Sequence, residues 1–268
     1  MSFAIDSKYL AEYLRSSKMS ETVMPLMGKV ALVTGGSRGI GAAICKRLAS
    51  SGANIVLTYN NSTDSANNVV ETCKSHGVSA LAIQANVGNV ETNRKTVEQV
   101  VQDYGRVDIL LNNAGIFQQI DPLEVTIDDF NNNVNINQRG IFFLTQAAVK
   151  QMPKGGRIIN IGSIFGESVP YPNLALYSMT KFAIAGLTRA WARDFAPRGI
   201  TVNCIQPGPI HTEMNPEDGE NAKGFIPRSP IERYGRVEEI AEMVAYLVGP
   251  NTDNVTGAII NNDGGWNA

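Results

Sequence analysis

The sequence predicts an α/β protein in which a doubly wound, seven-stranded parallel sheet carries helices on both faces within a single domain. Short apolar runs alternate with longer amphipathic segments along most of the chain, which is the pattern of repeated strand–helix units. A glycine-rich turn at 35–41 separates the first strand from the first helix. The 268 residues suffice for one such domain with a sizeable core.

The predicted elements follow one another without a repeat or a low-complexity linker that would mark a second domain. Strands are predicted at 29–34, 54–59, 79–84, 107–111, 156–161, 200–205 and 257–261, and helices near 39–50, 62–76, 90–104, 126–150, 173–196 and 236–248. Right-handed crossovers place the carboxyl ends of such strands along one edge, where ligands bind. The domain therefore spans 26–268, and we expect 1–25 to be a poorly ordered or partner-packed N-terminal extension.

Composition narrows the class of function. Lys and Arg number 23 against 25 Asp and Glu, so the net charge of −2 predicts no nucleic-acid partner. The three cysteines are far apart and odd in number, which favours a reducing compartment and a cytoplasmic location. Two isolated histidines predict no metal site, and no apolar run is long enough to predict a membrane span.

The turn at 35–41 has the spacing and the flanks of a dinucleotide-binding fingerprint. Gly35 is placed for the tight turn, Gly39 for close approach of a pyrophosphate, and Gly41 for packing of the helix on the strand. Free N–H groups at the helix N-terminus would face the phosphates. We therefore expect 35–41, including Ser37, Arg38 and Ile40, to bind a cofactor.

The end of the second strand selects between the two nicotinamide cofactors. NAD users place an acidic residue there against the ribose, but no Asp or Glu lies between Gly41 and Asp64. The residues at that place are Tyr59, Asn60, Asn61 and Ser62. Amides, a hydroxyl and the guanidinium of Arg38 can donate hydrogen bonds to a 2′-phosphate. The sequence favours NADP(H); the alternative is that 60–62 is only a polar turn and NAD(H) is used.

Three polar residues predict acid–base chemistry at a carbonyl or an alcohol. Tyr177 and Lys181 are four residues apart, so on a helix they project from one face. A cation beside a phenol stabilises the phenolate, which helps the phenol to exchange a proton. Ser163, fourteen residues upstream, is placed to hold a substrate oxygen against that phenol. Alone, this spacing is also typical of an ordinary surface pair on a helix.

Taken together, the motifs resemble the short-chain dehydrogenase/reductase family, and its bacterial 3-oxoacyl-acyl-carrier-protein reductases in particular. The resemblance covers residues 26–266 and rests on five motifs in the family's order: Thr34-Gly35-x-x-x-Gly39-x-Gly41, Asn112-Asn113-Ala114-Gly115, Ser163, Tyr177-x-x-x-Lys181 and Pro207-Gly208. It implies an NADP(H)-dependent enzyme that reduces a ketone to a secondary alcohol, with the tyrosine as proton donor.

The resemblance also implies roles for individual residues. Asn137, in Asn-Gln-Arg-Gly-Ile-Phe, matches the family's asparagine that holds a water in a proton relay with the lysine. Asn131–Asn133 nearby would only cap or decorate the helix. The remaining matched positions would contact the adenine, the ribose or the nicotinamide: Asn86, Val87, Asn113, Ala114, Gly115, Pro207, Gly208, Ile210 and Thr212.

The substrate and the assembly are less closely defined. A Gly/Pro-rich stretch at about 208–230 is expected to be the substrate lid. The family implies a homotetramer, with a dimer as second choice. The substrate would be a 3-oxoacyl thioester or another small carbonyl compound, although only Arg198 matches the basic residues that carrier-protein reductases display, and Phe143 replaces the other.

Two alternatives stay open from the sequence. The segments 151–157 and 206–216 resemble a bacterial subgroup assigned to cyclic-dinucleotide binding and biofilm dispersal, which would make the protein a ligand-binding regulator. The segments at 59–66 and 85–88 resemble reductases of polyhydroxynaphthalenes, so a naphthol or sugar reductase is the other alternative. A complete set of acid–base residues favours an enzyme over a regulator.

Overall fold

A computed structural model describes residues 24–220 and 222–268 of the chain. The N-terminal extension predicted at 1–25 therefore lies outside the described residues up to position 23. Seven strands form one parallel sheet in the order β3-β2-β1-β4-β5-β6-β7. They are β1 (Val30–Val33), β2 (Asn54–Tyr59), β3 (Ala80–Gln84), β4 (Ile109–Asn112), β5 (Arg157–Ile161), β6 (Thr201–Pro207) and β7 (Ile259–Asn262). The predicted fold class is confirmed.

Helices connect the strands. They are α1 (Gly39–Ser50), α2 (Thr63–Lys74), α3 (Val90–Tyr104), α4 (Ile127–Val134), α5 (Ile141–Gln151), α6 (Ala175–Phe195), α7 (Ala222–Phe225) and α8 (Val237–Leu247). A six-residue π-helical turn, Asn135–Gly140, joins α4 to α5. Among the described residues, no helix combines the length and the apolarity needed to cross a membrane.

Two apolar layers enclose the sheet because neighbouring strand residues point to opposite faces. Leu32 of β1 and Ile158 of β5 pack on one face with α3, α5 and α6. Val33 and Ile159, one residue later in each strand, pack on the other face with α1, α2 and α8. All four side chains are fully buried. This explains why the strands read as continuous apolar runs rather than alternating ones.

The register aligns the carboxyl ends of the central strands. Val33 pairs with Leu57 of β2 on one side and with Leu111 of β4 on the other, and Asn112 pairs with Asn160 of β5. The segments that follow these strands therefore meet at one edge of the sheet. That edge includes the glycine turn after β1, which lies between the turns after β2 and β4.

The prediction of one continuous helix at 126–150 was wrong. The sequence predicts a single helix at 126–150, but the structure divides it into α4, the π-helical turn and α5. Thr126 and Asp129 form a capping box that starts α4 at Ile127. Gly140 ends the π-helical turn directly against the chain after β3, since a Cβ there would lie 2.2 Å from the carbonyl oxygen of Val87. The break follows from this contact with a distant segment.

Candidate active site

A cleft of about 460 Å³ opens at the carboxyl edge of the sheet. All residues predicted to bind the cofactor line it: Gly35, Ser37, Arg38, Gly39, Ile40, Gly41, Tyr59, Asn60, Asn61, Ser62, Asn86, Val87, Asn113, Ala114, Gly115, Tyr177, Lys181, Pro207, Gly208, Ile210 and Thr212. Ser163 lines it as well, so three of the four predicted catalytic side chains share one cavity with the glycine turn. Asn137 does not line it.

The glycine turn is held close to the end of β4. Gly35 has a φ of +64°, which favours glycine, and a Cβ on Gly41 would lie 2.2 Å from the Gly35 carbonyl oxygen. The hydroxyl of Thr34 accepts hydrogen bonds from the backbone N–H groups of Asn113 and Ala114, each at 3.0 Å. The Asn113 amide donates to the carbonyl oxygens of Thr34 and Gly35. No side chain larger than glycine fits at 41, so backbone forms this wall of the cleft.

Helix α1 begins at this turn, and no side chain caps the backbone N–H groups at its start. Arg38 is its N-cap residue, in an extended conformation and without a side-chain capping bond, and its guanidinium group is exposed beside the cleft. The first turn of α1 contains no acidic residue. An anionic group is stabilised at such a helix terminus. This end of the cleft therefore suits a phosphate.

The turn after β2 is polar and carries no carboxylate. Asn60 and Asn61 are exposed, while Tyr59 and Ser62 are half-buried at the cleft wall. Ser62 precedes α2, but its hydroxyl does not cap that helix. Amide and hydroxyl donors therefore surround the place where an acidic residue would exclude a 2′-phosphate.

Tyr177 and Lys181 lie side by side on α6, as their spacing predicts. The ammonium nitrogen of Lys181 lies 5.6 Å from the centre of the Tyr177 ring and donates a hydrogen bond to the Ile161 carbonyl oxygen at 3.0 Å. Lys181 is only 6% exposed. Within the described part of the chain no carboxylate pairs with it. The ammonium group therefore lies buried beside the phenol, and no carboxylate in the described residues neutralises its charge.

Ser163 follows β5 and faces the same cleft. Its side-chain oxygen accepts a hydrogen bond from the backbone N–H of Phe165 at 3.2 Å, which starts a single 3₁₀ turn at Ile164–Gly166. Because the oxygen accepts this bond, the hydroxyl proton remains available to donate into the cleft. The arrangement suits a hydroxyl that holds a substrate oxygen.

Asn137 lies behind the cleft wall, in the π-helical turn, and is 1% exposed. Its side-chain oxygen accepts from the backbone N–H of Ile116, and its amide donates to the Ile116 carbonyl oxygen, both at 2.9 Å. Between Asn137 and Lys181 lies Gly115, where a Cβ would be 3.2 Å from the Asn137 oxygen and 3.8 Å from the Lys181 nitrogen. The side-chain amide thus fixes the segment after β4 next to the lysine.

Two contributions to the site were missed by the sequence interpretation. Asn133, which the sequence predicts only to cap or decorate the helix, is fully buried; its amide donates to the Gln118 side chain and its oxygen accepts from Asn137 at 3.4 Å. Phe117 packs its edge against the Tyr177 ring, with centroids 4.9 Å apart. The helical spacing of Asn133 and Asn137, four residues apart, was a signal for the first. The position of Phe117 two residues after Gly115 was a signal for the second.

The cysteines do not supply a nucleophile to this site. Burial raises the pKa of the Cys204 thiol, which lies behind Gly162, to about 11. Burial also raises the pKa of Cys73 to about 11 and that of Cys45 well above its usual value. All three thiols are unpaired and buried. No cluster of three or more His, Cys, Asp or Glu side chains in the described residues is arranged to hold a metal ion.

Comparison with known proteins gives consistent matches over most of the chain. The family model described as enoyl-(acyl carrier protein) reductase matches residues 35–267. A short-chain dehydrogenase/reductase from Serratia marcescens is 48% identical, with a TM-score of 0.90 over 91% of this chain and 100% of that one. A short-chain dehydrogenase from Burkholderia cenocepacia, solved in complex with NADP, is 43% identical with the same TM-score and the same coverage of both chains. The cyclic-di-GMP-binding biofilm dispersal mediator protein of Escherichia coli is 41% identical over 90% of this chain and 98% of that protein.

Proposed function

Because the chain belongs to the short-chain dehydrogenase/reductase family, we propose that it is an NADP(H)-dependent enzyme that reduces a ketone to a secondary alcohol. One observation carries the proposal: the phenol of Tyr177, the ammonium of Lys181 and the hydroxyl of Ser163 face the cleft that the glycine turn closes. A pure binding protein needs no proton donor beside a nucleotide cleft. A hydride-transfer enzyme requires both a nucleotide cleft and a proton donor beside it.

The residues fit the cofactor at both ends of the cleft. The pyrophosphate fits the turn at 35–41, where only glycine is accommodated at 41 and the N-terminus of α1 offers N–H donors. The 2′-phosphate of NADP(H) fits the guanidinium of Arg38 and the donors of Asn60, Asn61 and Ser62. When bound, the reduced nicotinamide supplies the hydride. Pro207, Gly208, Ile210 and Thr212 also line the cleft, where they would hold that ring.

The side chains around the phenol divide the acid–base work. Tyr177 donates its proton to the carbonyl oxygen as negative charge develops there, and Ser163 donates a hydrogen bond to the same oxygen. Loss of one such donor typically reduces transition-state stabilisation by about 2.7–4 kcal/mol. Lys181 stabilises the phenolate that remains. Asn137 holds the backbone beside Lys181 in place, so that a water there returns the proton to Tyr177.

Two further properties belong to the proposal: the cellular location and the size of the substrate. Three unpaired buried thiols support a reducing, cytoplasmic location. As the substrate we favour a small carbonyl compound over a carrier protein's thioester. Arg198, which matches one basic position of the carrier-protein reductases, donates hydrogen bonds to the carbonyl oxygens of Val149 and Met152 at the end of α5. Its guanidinium group therefore already caps a helix.

The experiment that tests the function is NADPH oxidation with a panel of ketones by the wild type and by Tyr177→Phe. We expect the variant to keep its affinity for NADPH, measured by fluorescence titration, while kcat falls by about 100-fold or more. Tyr246→Phe, a change at an exposed tyrosine of α8, serves as the control and should keep full activity. Equal turnover by Tyr177→Phe and the wild type would contradict the assignment of the proton donor.

A second candidate function is supported by the likeness to the cyclic-di-GMP-binding protein, which extends over 98% of that protein. Glu213, Met214 and Asn215, within the segment that resembles that subgroup, line the same cleft. If the protein is a regulator, cyclic di-GMP will bind in calorimetry and compete with NADPH, and no ketone will be turned over. Ketone turnover without cyclic-di-GMP binding favours the enzyme alone.

A further inference from the structure

A second, smaller pocket of about 210 Å³ adjoins the cleft beyond the Tyr177 ring. Phe117 lines both cavities, so they meet beside the phenol. The other apolar walls come from Phe165, Tyr171, Leu174 and Phe225. We call this cavity the aromatic pocket. Its position means that a ketone held by Tyr177 would extend its larger substituent into it.

Aromatic side chains form most of the walls of the aromatic pocket, and they pack against one another. The rings of Phe117 and Phe165 each meet the Tyr177 ring nearly edge-on, with interplanar angles of 79° and centroids 4.9 Å and 6.4 Å away. Phe165 meets Tyr171 at 84°, and Phe225 lies 5.6 Å from Tyr171. Ring edges carry partial positive charge, which attracts the face of another ring. An aromatic group can meet these rings edge to face or stack on them, so it gains more here than an aliphatic group of equal size.

The walls are fixed in place by contacts outside the pocket. The Tyr171 hydroxyl donates to the Gly224 carbonyl oxygen at 2.9 Å, which ties α7 to the segment before α6. The guanidinium of Arg228 lies 4.9 Å from the centre of the Tyr171 ring. The rings of Trp266 and Phe225 pack edge to face, with centroids 5.6 Å apart. These contacts join three separate segments, so the pocket has a defined shape rather than a loose apolar surface.

Size and charge define the ligand further. A cavity of about 150 Å³ with apolar walls binds benzene, so 210 Å³ accommodates one ring, and two fused rings when part of the ligand lies in the cleft. Within the described part of the chain, the lining contains the carboxylate of Glu220 and no Lys, Arg or His. This lining favours an uncharged substituent beside the carbonyl group over a negatively charged one.

We infer that the substrate is an uncharged aryl ketone with one or two rings, whose ring occupies the aromatic pocket while its carbonyl oxygen meets Tyr177 and Ser163. The inference rests on the proposed ketone reduction and adds the class of substrate. Phe225 is then a specificity-determining residue, because it contacts the ring and no reacting atom.

The test compares acetophenone with cyclohexyl methyl ketone, which differ only in the aromaticity of the ring, and adds an acetoacetyl thioester. We expect kcat/KM with NADPH to be about tenfold higher for acetophenone than for cyclohexyl methyl ketone. Phe225→Leu should remove this preference by raising KM for the aryl ketone, while Phe225→Tyr should keep it. The control Tyr246→Leu changes an exposed aromatic residue away from the pocket and should leave the ratio unchanged.

The outcomes separate the inference from the function on which it rests. Equal kcat/KM for the two ketones, or a preference for the thioester, would overturn the aryl-ketone assignment and leave ketone reduction standing. A preference that survives in a folded Phe225→Leu would overturn the role of this pocket. Absence of turnover with all three compounds would remove the proposed function and the inference together.

Discussion

Gln206 on β6 places a polar side chain in the buried interior. It is fully buried, and neither polar atom of its side chain has a hydrogen-bond partner within the described residues. Its amide nitrogen lies behind the turn that carries Ser163, at 3.0 Å from where a Cβ on Gly166 would be. Burial of an unpaired amide is unfavourable by about 1–3 kcal/mol.

Replacement of this amide by an apolar side chain of similar shape should therefore stabilise the protein. We expect Gln206→Met to raise the free energy of unfolding by about 1–3 kcal/mol in urea denaturation. Asn203→Leu is the matched control, because that buried amide is bonded to Val255 and Ala258 and its loss should destabilise. A lower stability for Gln206→Met would show that the amide is satisfied, for example by a buried water.

Arg38 offers a second test at the scale of the residue. If its guanidinium binds the 2′-phosphate, Arg38→Ser should weaken NADPH binding by about tenfold or more and leave NADH binding unchanged. Titration with each nucleotide measures both dissociation constants. Arg139→Ser removes the same charge from an exposed position that does not line the cleft. An equal loss for both nucleotides would place Arg38 at the shared pyrophosphate instead.

The sequence predicted best the positions of residues that lie close together in the chain. Tyr177 and Lys181 share a helix face, and the glycines at 35, 39 and 41 lie in one turn, so local pattern was sufficient. Asn133 was missed because its burial depends on Gln118 in another segment as well as on the nearby Asn137, and Phe117 was missed because Tyr177 is distant in the sequence. The unpaired state of Gln206 has no sequence signature either, since it depends on which segments surround β6.

At the scale of the element, the π-helical turn also depends on long-range contacts that local sequence patterns do not show. Nothing in the periodicity of 126–150 marks a break, and the sequence predicted one helix there. The break arises because Gly140 packs against Val87 while Asn137 pairs with the backbone of Ile116. Strand and helix bounds elsewhere differ from the predicted ones by only a few residues, since apolar runs and glycines set them locally.

The start of α8 depends on one carboxylate. Glu239 accepts hydrogen bonds from the Arg233 guanidinium at 2.7 Å and 3.0 Å and from the backbone N–H of Arg236 at 2.7 Å. These bonds, the Arg233 contact above all, lower the pKa of Glu239 from 4.5 to about 2. The ionised form is therefore favoured by folding, and the cap stabilises the folded state wherever the carboxylate is charged.

Glu239→Gln should lower the free energy of unfolding by about 1 kcal/mol at pH 7. The lowered pKa means that this contribution is complete above about pH 4.5 and is lost as the pH falls towards 2. The wild type and the variant should therefore converge in stability across that window. Thermal unfolding from pH 7 to pH 2.5 measures the difference. Glu238→Gln, at the exposed neighbouring residue, should show a smaller and flatter difference.

At the scale of the whole molecule, one face of the described chain leaves aromatic and apolar side chains exposed. Phe142 and Phe143 on α5 and Met179 and Phe182 on α6 are each 37–46% exposed. Several large apolar side chains exposed on two helices are typical of an association surface. The homotetramer, or else the dimer, that the family resemblance implies would cover these side chains, and the assembly stays a prediction.

We expect light scattering after size exclusion to give four times the mass of one chain. Phe182→Glu places a charge on this face and should shift the protein to smaller species, whereas Phe182→Tyr should preserve the assembly. A monomeric wild type, or an unchanged mass for Phe182→Glu, would contradict association through α5 and α6.

The strand order also has a consequence for synthesis on the ribosome. β1 lies between β2 and β4, and 75 residues (34–108) separate the end of β1 at Val33 from the start of β4 at Ile109. While the chain is still being made, β1, β2 and β3 can pair, but the inner border of β1 stays open until β4 has emerged. An open apolar strand border recruits other chains. The nascent polypeptide is therefore most prone to aggregate during this interval. A translational pause that delays the emergence of β4 should lower the yield of folded protein.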